Sequence, residues 1–199
     1  MPSLLLSSRL RRTVTTFVPR AAIALALPLA LSACGDGSMA GMHSAPMPKA
    51  QVVANATLML ASGASAGTAE LLQGPDGFRV HVDAKGLPPG VHGIHLHTVG
   101  KCDAPGFTTA GGHLNPDGHQ HGAENPAGSH LGDLTNLTVG ADGTGALDFA
   151  LRGGADMTGP ALFDADGTAL VIHAAPDDYK TDPSGNSGAR LACGVFVRQ

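Results

Sequence analysis

The sequence predicts an all-β domain, built as a sandwich or barrel of eight short strands. Eight segments are rich in valine, leucine and threonine or alternate apolar with polar residues, and they follow one another at near-regular spacing. The 28 glycines and 14 prolines suit the many turns that such a fold needs. No stretch of the chain shows a convincing helical period, so we expect no helix.

Turn signals separate the predicted strands. Gly74–Gly77 reads as a turn, prolines stop the strand before Val91, and Asp142-Gly143 is a hairpin signal between two short strands. In chain order the strands are Gln51–Leu60, Thr68–Gln73, residues 78–83, Val91–Thr98, Asn136–Val139, Ala146–Leu151, Ala169–Ala174 and Leu191–Arg198.

The third strand shows a clear period of two. Phe78, Val80 and Val82 alternate with polar residues, which is typical of a strand with one buried face. His81 falls on the polar side of this pattern. We therefore expect it to face solvent and to bind no metal.

Two connections are longer than usual, roughly Val99–Gly132 and Ala175–Ala189. Long loops without secondary structure are uncommon in compact domains, and those that occur are usually functional. The sequence therefore places the functional residues in these two loops and at the strand ends beside them.

The first 33 residues are predicted to be a secretory signal. Four arginines precede or border the apolar run Ala21–Leu31, which is too short to span a bilayer. The run ends in Leu-Ser-Ala-Cys, which resembles the bacterial lipobox, so we expect cleavage before Cys34 and lipidation of its thiol. An ordinary signal peptide that happens to be followed by a cysteine is the alternative.

Residues 34–50 are predicted to be a flexible tether between the lipid and a domain that spans residues 51–199. The tether is rich in small and polar residues and is broken by two prolines. Its Met39, Met42, His43 and Met47 offer soft ligands for Cu(I). We favour the simpler interpretation, a linker that contains methionines.

Charge and cysteine content narrow the class of protein. Removing the four arginines before Cys34 from the 12 basic residues leaves 8 against 16 acidic residues, a net charge of −8. This argues against a nucleic-acid partner, which needs a basic face. In an exported protein the two remaining cysteines, Cys102 and Cys193, most simply form a disulfide, with two free thiols as the alternative.

Histidines dominate the stretch from Val91 to Asp133, which holds seven of the ten in the chain. His95 and His97 are two apart in a strand, so both imidazoles point from one face, and His173 near another strand end can supply a third nitrogen. The long loop adds further candidate ligands, and together they exceed what one metal takes. We therefore predict two neighbouring metals, with the loop contributing His113, His121, His130 and Asp133.

Five segments make the pattern specific. In their order along the chain, they resemble the signatures of copper–zinc superoxide dismutases of the bacterial exported type. The five segments are GIHLHTVGKCDAPGF, AGGHLNPDGHQHG, SHLGDL, LVIHAAPDDY and GARLACGVF. The resemblance covers the whole domain from about Gln51 to Gln199. It implies an eight-stranded Greek-key β-barrel with two long functional loops, and one copper and one zinc ion per subunit.

The resemblance also implies a role for each ligand. Copper would be bound by His95, His97, His113 and His173. Zinc would be bound by His113, shared with copper, and by His121, His130 and Asp133. His119 is the alternative to His121, whereas His92 resembles a structural histidine beneath the copper strand.

Further roles follow from the same resemblance. Asp177 would hydrogen-bond both His95 and His121. Arg190 would stand beside copper and draw in superoxide, with a surface salt bridge as the alternative role, and Lys180 would be a weaker guiding charge. His113 would release copper and take up a proton on reduction, then supply it on reoxidation. The Cys102–Cys193 disulfide would tie the long loop to the last strand.

The implied activity is dismutation of superoxide to oxygen and hydrogen peroxide in the periplasm, with the membrane reached only through the lipid anchor. Monomer and homodimer both stay open, as does the choice between inner and outer membrane. A non-catalytic copper-binding relative is the main alternative, but such a protein is expected to lack zinc ligands or the arginine. A zinc hydrolase lacks an obvious general base here, and an adhesion module has no reason to concentrate histidines.

Overall fold

The computed structural model describes residues 49–199. The predictions for the signal peptide at residues 1–33, for Cys34 and for most of the tether lie outside these residues. Among residues 49–199, no helix is both long and apolar enough to cross a membrane.

The regular secondary structure of the described residues consists almost entirely of antiparallel strands. One α-helix, α1, covers Ala155–Leu162, and a 3-10 turn covers Thr108–Ala110. The strands are β1 Gln51–Leu60, β2 Ser65–Gly74, β3 Gly77–Ala84, β4 Gly90–His92, β5 Ile94–His97, β6 Leu137–Val139, β7 Gly145–Ala150, β8 Ala169–His173, β9 Arg190–Val195 and β10 Val197–Arg198.

Eight of these strands form one curled sheet in the order β5-β8-β9-β1-β2-β3-β7, with β10 also paired to β1. Strands β4 and β6 form a separate two-stranded sheet. The predicted all-β class is therefore confirmed. Each of the eight predicted strands is present, although two of them are divided, so that ten strands result.

The predicted strand Val91–Thr98 divides at Gly93 because the chain changes partner there. Strand β4 pairs with β6, whereas β5 pairs with β8. The amide of Gly93 donates to the carbonyl of Ala175 at 2.8 Å, and a Cβ atom at this position would lie 2.8 Å from Ser187 Oγ. Glycine is thus needed for a close approach of two segments.

The hydrophobic core lies inside the curl of the sheet. Ile94 and Leu96 of β5 and Leu170 and Ile172 of β8 are fully buried in it, together with Leu58 of β1. Every residue of β5 and β8 is buried, so the histidines that alternate with these core residues are covered too. The two long loops therefore lie over the outer face of these strands.

The expectation that the chain contains no helix is wrong, since α1 follows β7. Its sequence holds Gly159 and Pro160, both poor helix formers, which hides the helical period. The helix is stabilised by packing: Leu162 is buried, and a Cβ atom at Gly159 would lie 3.5 Å from the ring of Phe78. Tertiary contacts decide the state of such short helices more than propensity does.

His81 lies on the outer side of β3, as its place in the alternation predicts. Its ring nitrogens contact Asp148 at 2.8 Å and Asp83 at 3.2 Å. The hydrogen bond to Asp148 raises the pKa of His81 against the smaller effect of burial. His81 is thus part of a surface charge cluster and belongs to neither metal-ligand group.

A disulfide joins Cys102 in the first long loop to Cys193 in β9, as predicted. The two Cα atoms are 5.7 Å apart and the bond closes a segment of 91 residues. Cys193 packs with Phe107, Ala110 and Val171 in a small buried cluster of its own. The bond therefore fixes the start of the long loop against the sheet.

Replacing both cysteines by serine is expected to lower the free energy of unfolding by about 3 kcal/mol, because a cross-link across a long segment restricts the unfolded chain. Urea titration of the double variant beside the oxidised wild type measures the difference. Wild-type protein reduced with dithiothreitol is the control and should match the variant. Equal stability of the oxidised wild type and the variant would contradict the assigned contribution.

Candidate metal centre

Strand pairing brings three of the predicted ligands together. His95 and His97 leave the same face of β5, while Ile94 and Leu96 enter the core from the other. His173 ends the neighbouring strand β8, and its amide donates to the carbonyl of Gly93 at 2.8 Å. Two paired strands thus present three imidazoles to one side of the sheet.

The first long loop adds ligands by pairing with the free edge of β5. Isolated bridges join His97 to His113 and His95 to Asp133. Between them, Leu96 donates to the carbonyl of Gly132 at 2.9 Å. A Cβ atom at Gly132 would clash with the Leu96 carbonyl oxygen, so the close approach requires glycine.

These elements assemble two groups of four ligand atoms, each with all of its atoms within 4.8 Å of one another. We name them the four-histidine group and the carboxylate group. The first consists of His95, His97, His113 and His173, and the second of His113, His121, His130 and Asp133.

The four-histidine group leaves four ring nitrogens without a hydrogen-bond partner. Within residues 49–199, the buried side-chain atoms with no partner are His95 Nδ1 and the Nε2 atoms of His97, His113 and His173. Burying a polar atom without a partner costs about 1–3 kcal/mol, so such atoms are rare in native proteins. Four of them in one group fit a metal ion that takes nitrogen ligands.

The opposite ring nitrogens of this group are fixed by oxygen atoms. His97 Nδ1 lies 2.9 Å from the carbonyl oxygen of Gly111, and His173 Nδ1 lies 3.3 Å from that of Gly188. His95 Nε2 lies 2.8 Å from Asp177 Oδ2. Such partners set the tautomer and orientation of a ligating imidazole.

In the carboxylate group, three imidazoles converge on one oxygen atom. Asp133 Oδ1 lies 2.9 Å from His113 Nδ1, 3.0 Å from His121 Nδ1 and 3.1 Å from His130 Nδ1. The other oxygen, Oδ2, accepts the backbone amides of Gly122 and His130, both at 2.9 Å. Three nitrogens and one carboxylate oxygen around a point are a donor set that fits tetrahedral zinc.

Two residues connect the groups. His113 faces the carboxylate group with Nδ1 and the four-histidine group with Nε2. Asp177 is buried and reaches both sides, since Oδ2 contacts His95 at 2.8 Å and Oδ1 contacts His121 Nε2 at 2.9 Å. These two residues are therefore direct structural links between the groups.

Burial keeps the four-histidine group neutral. It lowers the pKa of His97 to about 2, of His173 to about 3 and of His113 to about 4, and it lowers the pKa of His95 as well. Neutral imidazole is the form that binds metal. At neutral pH these rings are therefore not imidazolium ions, so no imidazolium proton has to leave before a metal binds.

The pKa values of the two buried carboxylates are lowered as well, although by a different cause. Burial alone would raise the pKa of Asp133 and Asp177, but hydrogen bonds from His113 and His121 to the first, and from His121 and His95 to the second, outweigh it. Both pKa values lie below the ordinary range. For His121, the two carboxylates overcome burial and raise its pKa to about 9.

The four-histidine group opens into a cavity of about 410 Å³ that Arg190 also lines, beside His97, His113 and His173. The guanidinium is half-buried and donates to the carbonyl oxygens of Phe107 at 2.5 Å and Gly111 at 2.6 Å. Burial lowers its pKa from the ordinary value, but a guanidinium stays charged in proteins. A cation thus lines the same cavity as three of the four histidines with unpartnered nitrogens.

The comparison with protein families agrees with this geometry. A family model described as copper/zinc superoxide dismutase (SODC) matches residues 65–196. The chain belongs to the copper/zinc superoxide dismutase family. Members of this family bind copper and zinc, which are the two metals that the sequence predicts.

Individual members of the dismutase family are similar over most of the chain. Superoxide dismutase [Cu-Zn] 2 of Aquifex aeolicus is 43% identical over 149 residues, covering 72% of this chain and 85% of the relative. The superoxide dismutase-like protein YojM of Bacillus subtilis is 43% identical over 142 residues, covering 68% of this chain and 71% of the relative. A solved SOD-like protein from Bacillus subtilis has a TM-score of 0.68 at 38% identity, covering 75% of this chain and 100% of that chain.

Three predicted residues lie outside the two groups. His92 is buried, and carbonyl oxygens of His173 and Pro88 lie 2.8 Å from its two ring nitrogens, which leaves neither for a metal. His119 contacts the carbonyl oxygen of Ser129 at 3.1 Å and joins neither group. Lys180 pairs with Glu124 at 2.7 Å at the surface and does not line the cavity.

Sequence reasoning missed several residues that hold the dismutase loops in place. Asn136 exchanges hydrogen bonds of 2.8 and 2.9 Å with the backbone of Asp177, and Asp182 accepts the amide of His121 at 2.7 Å. Arg152 donates to Ser129 and to the carbonyl of His130. Single polar residues in loops or at strand ends carry no period or spacing that marks such a role.

Proposed function

We propose that this protein is a copper- and zinc-dependent superoxide dismutase, which converts two superoxide anions and two protons to oxygen and hydrogen peroxide. The observation that carries the proposal is the pair of ligand groups that share His113 in a member of the dismutase family. We assign copper to the four-histidine group and zinc to the carboxylate group. When bound, copper supplies the one-electron redox chemistry and zinc a fixed charge.

The donor sets support this assignment. An all-nitrogen set suits Cu(II), and zinc accepts carboxylate together with imidazole. His113 belongs to both groups, and a ring that loses both protons is stable only between two cations. The two sites therefore depend on each other through this residue.

Arg190 binds and orients the substrate. Superoxide is a small anion, and the chain from Cys34 onward carries a formal net charge of −8, which repels it at long range. A cation beside the cavity offsets this locally, because field lines are focused in a cleft. His113 is the residue that holds a proton at Nε2 between the two half-reactions, while its Nδ1 stays in the carboxylate group.

A non-catalytic copper-binding protein of the same fold is the second candidate, since the Bacillus subtilis relative is named dismutase-like. We favour the dismutase because seven ligand residues, with His113 shared, complete both groups, and because Arg190 lines the cavity. A copper carrier needs neither a complete carboxylate group nor a substrate-binding cation.

The test is metal content and activity of the purified protein. We expect one copper and one zinc per chain by mass spectrometry of the elements, and rapid superoxide decay followed by pulse radiolysis. Bound metals without accelerated superoxide decay would favour the non-catalytic alternative. Copper bound without zinc would contradict the assignment of the carboxylate group.

We further propose that the protein is a lipoprotein anchored through Cys34 on the periplasmic side of a bacterial membrane, where it protects the cell envelope from superoxide. The support is the Leu-Ser-Ala-Cys junction after the apolar run and the tether that follows. Mass spectrometry of the N-terminal peptide should find a diacylated or triacylated cysteine. An unmodified Cys34, or a mature terminus elsewhere, would refute the anchor.

A further inference from the structure

We propose that Arg152 is a positioning residue for zinc, acting as a guanidinium clamp on the loop segment Ser129–His130. The proposal rests on the assignment of zinc to the carboxylate group. Arg152 touches no ligand atom of that group. It acts through the backbone of a residue that does.

The clamp consists of three hydrogen bonds from one side chain. Arg152 Nη2 donates to the carbonyl oxygen of Ser129 at 2.7 Å and to that of His130, and Nη1 donates to Ser129 Oγ. A guanidinium is planar and carries five N–H groups in a rigid fork, so it can hold several acceptors at once. His119 adds a fourth contact, with Nδ1 3.1 Å from the Ser129 carbonyl.

The anchor of the clamp is the sheet. Arg152 comes two residues after the end of β7, and its neighbour Leu151 is buried and donates to the carbonyl of Phe78 at 2.8 Å. The segment that Arg152 holds belongs instead to the part of the long loop after Ala110, which has no strand or helix. The hydrogen bonds therefore transfer the rigidity of the sheet to the loop.

The held segment leads directly into the carboxylate group. His130 has its carbonyl fixed by Arg152 and its amide fixed by Asp133 Oδ2 at 2.9 Å, while its Nδ1 lies 3.1 Å from Asp133 Oδ1. Both backbone polar groups of this ligand are thus fixed before a metal binds. Without the clamp, the loop would have to order His130 at the expense of the binding free energy of zinc.

The charge of Arg152 cannot help zinc directly, because a cation near a second cation is repelled. The benefit must come from the geometry of the fork. Substitution of Arg152 by lysine therefore distinguishes the effect of the guanidinium geometry from a general electrostatic effect. Lysine keeps the charge but concentrates its donors on one nitrogen.

The experiment measures zinc affinity of the purified protein by competition with a chromophoric chelator, with copper absent. Arg152→Gln is expected to bind zinc about 10- to 100-fold more weakly, the usual effect of losing a partner that orients a ligand. Arg152→Lys should also bind zinc more weakly than the wild type. The decrease in the logarithm of its zinc affinity should be more than half of the decrease in Arg152→Gln. Ser129→Ala, which removes one acceptor and keeps both carbonyls, should change affinity less than about 3-fold.

Arg79→Gln is the matched control, since Arg79 is in an exposed pair with Asp148 on the neighbouring strand. It should bind zinc like the wild type. Thermal unfolding with and without zinc adds a second readout: Arg152→Gln should lose part of the stabilisation that zinc gives, whereas a purely structural role would lower both midpoints equally.

Wild-type zinc affinity in Arg152→Gln would overturn the clamp, as would equal losses of stability with and without zinc. If Arg152→Gln does not fold, Arg152→Lys decides alone, and wild-type affinity there would overturn the role of the fork. Failure of the wild type to bind zinc would instead refute the proposed zinc site on which the clamp rests.

Discussion

His97→Gln is expected to abolish superoxide dismutation while leaving zinc bound. Glutamine is close in size to histidine and can still donate to the carbonyl of Gly111, which His97 Nδ1 contacts at 2.9 Å. It removes the unpartnered Nε2 atom, one of the four nitrogens assigned to copper. Removing a residue that only orients a ligand lowers metal affinity about 10- to 100-fold. Removing a ligand itself should therefore lower the copper affinity more than about 100-fold.

The measurement is copper and zinc content after dialysis against a weak chelator, together with the rate of superoxide decay. His97 has no contact with Asp133 or Asp177, so zinc should stay near one per chain. His81→Gln is the matched control, because His81 is a surface histidine bound to Asp148 and Asp83. Full copper binding in His97→Gln, or equal loss in both variants, would show that the four-histidine group is not the copper site.

The sequence predicts these ligands because their spacing is a property of local structure. His95 and His97 are two residues apart in a strand, so they share a face whatever the strand pairs with. Ile94 and Leu96, which alternate with them, have the apolar character that places the other face in the core. The sharing of His113 between two groups came from the resemblance and has no signature in spacing alone.

Other features depend on contacts between distant parts of the chain. The division of the fourth predicted strand at Gly93 follows from the approach of Ala175 and Ser187, which are far away in sequence. Helix α1 forms although Gly159 and Pro160 disfavour it, because it packs on Phe78 of β3. Hydrophobic periodicity is evaluated within one segment at a time, so it does not predict contacts between segments that are distant in the sequence.

The second large effect is expected from Arg190. Among the described residues that line the cavity, Arg190 is the one with a permanent charge, since Lys180 is paired with Glu124 elsewhere. Arg190→Ala should therefore lower the second-order rate of superoxide decay about 10- to 100-fold at low ionic strength, within the range known for electrostatic steering. Copper and zinc content should not change, because the guanidinium donates to carbonyls and touches no ligand nitrogen.

Salt distinguishes steering from a structural effect. Screening weakens interactions beyond about 10 Å at 0.1 M salt, so the wild-type rate should fall as salt is added, while the rate of Arg190→Ala should depend on salt much less. Arg190→Lys keeps the charge and should recover most of the rate, although it loses the paired contacts to Phe107 and Gly111. A wild-type rate in metal-loaded Arg190→Ala at low salt would remove Arg190 from the path of the substrate. In that case the local field of the cavity would have to come from the bound metals alone.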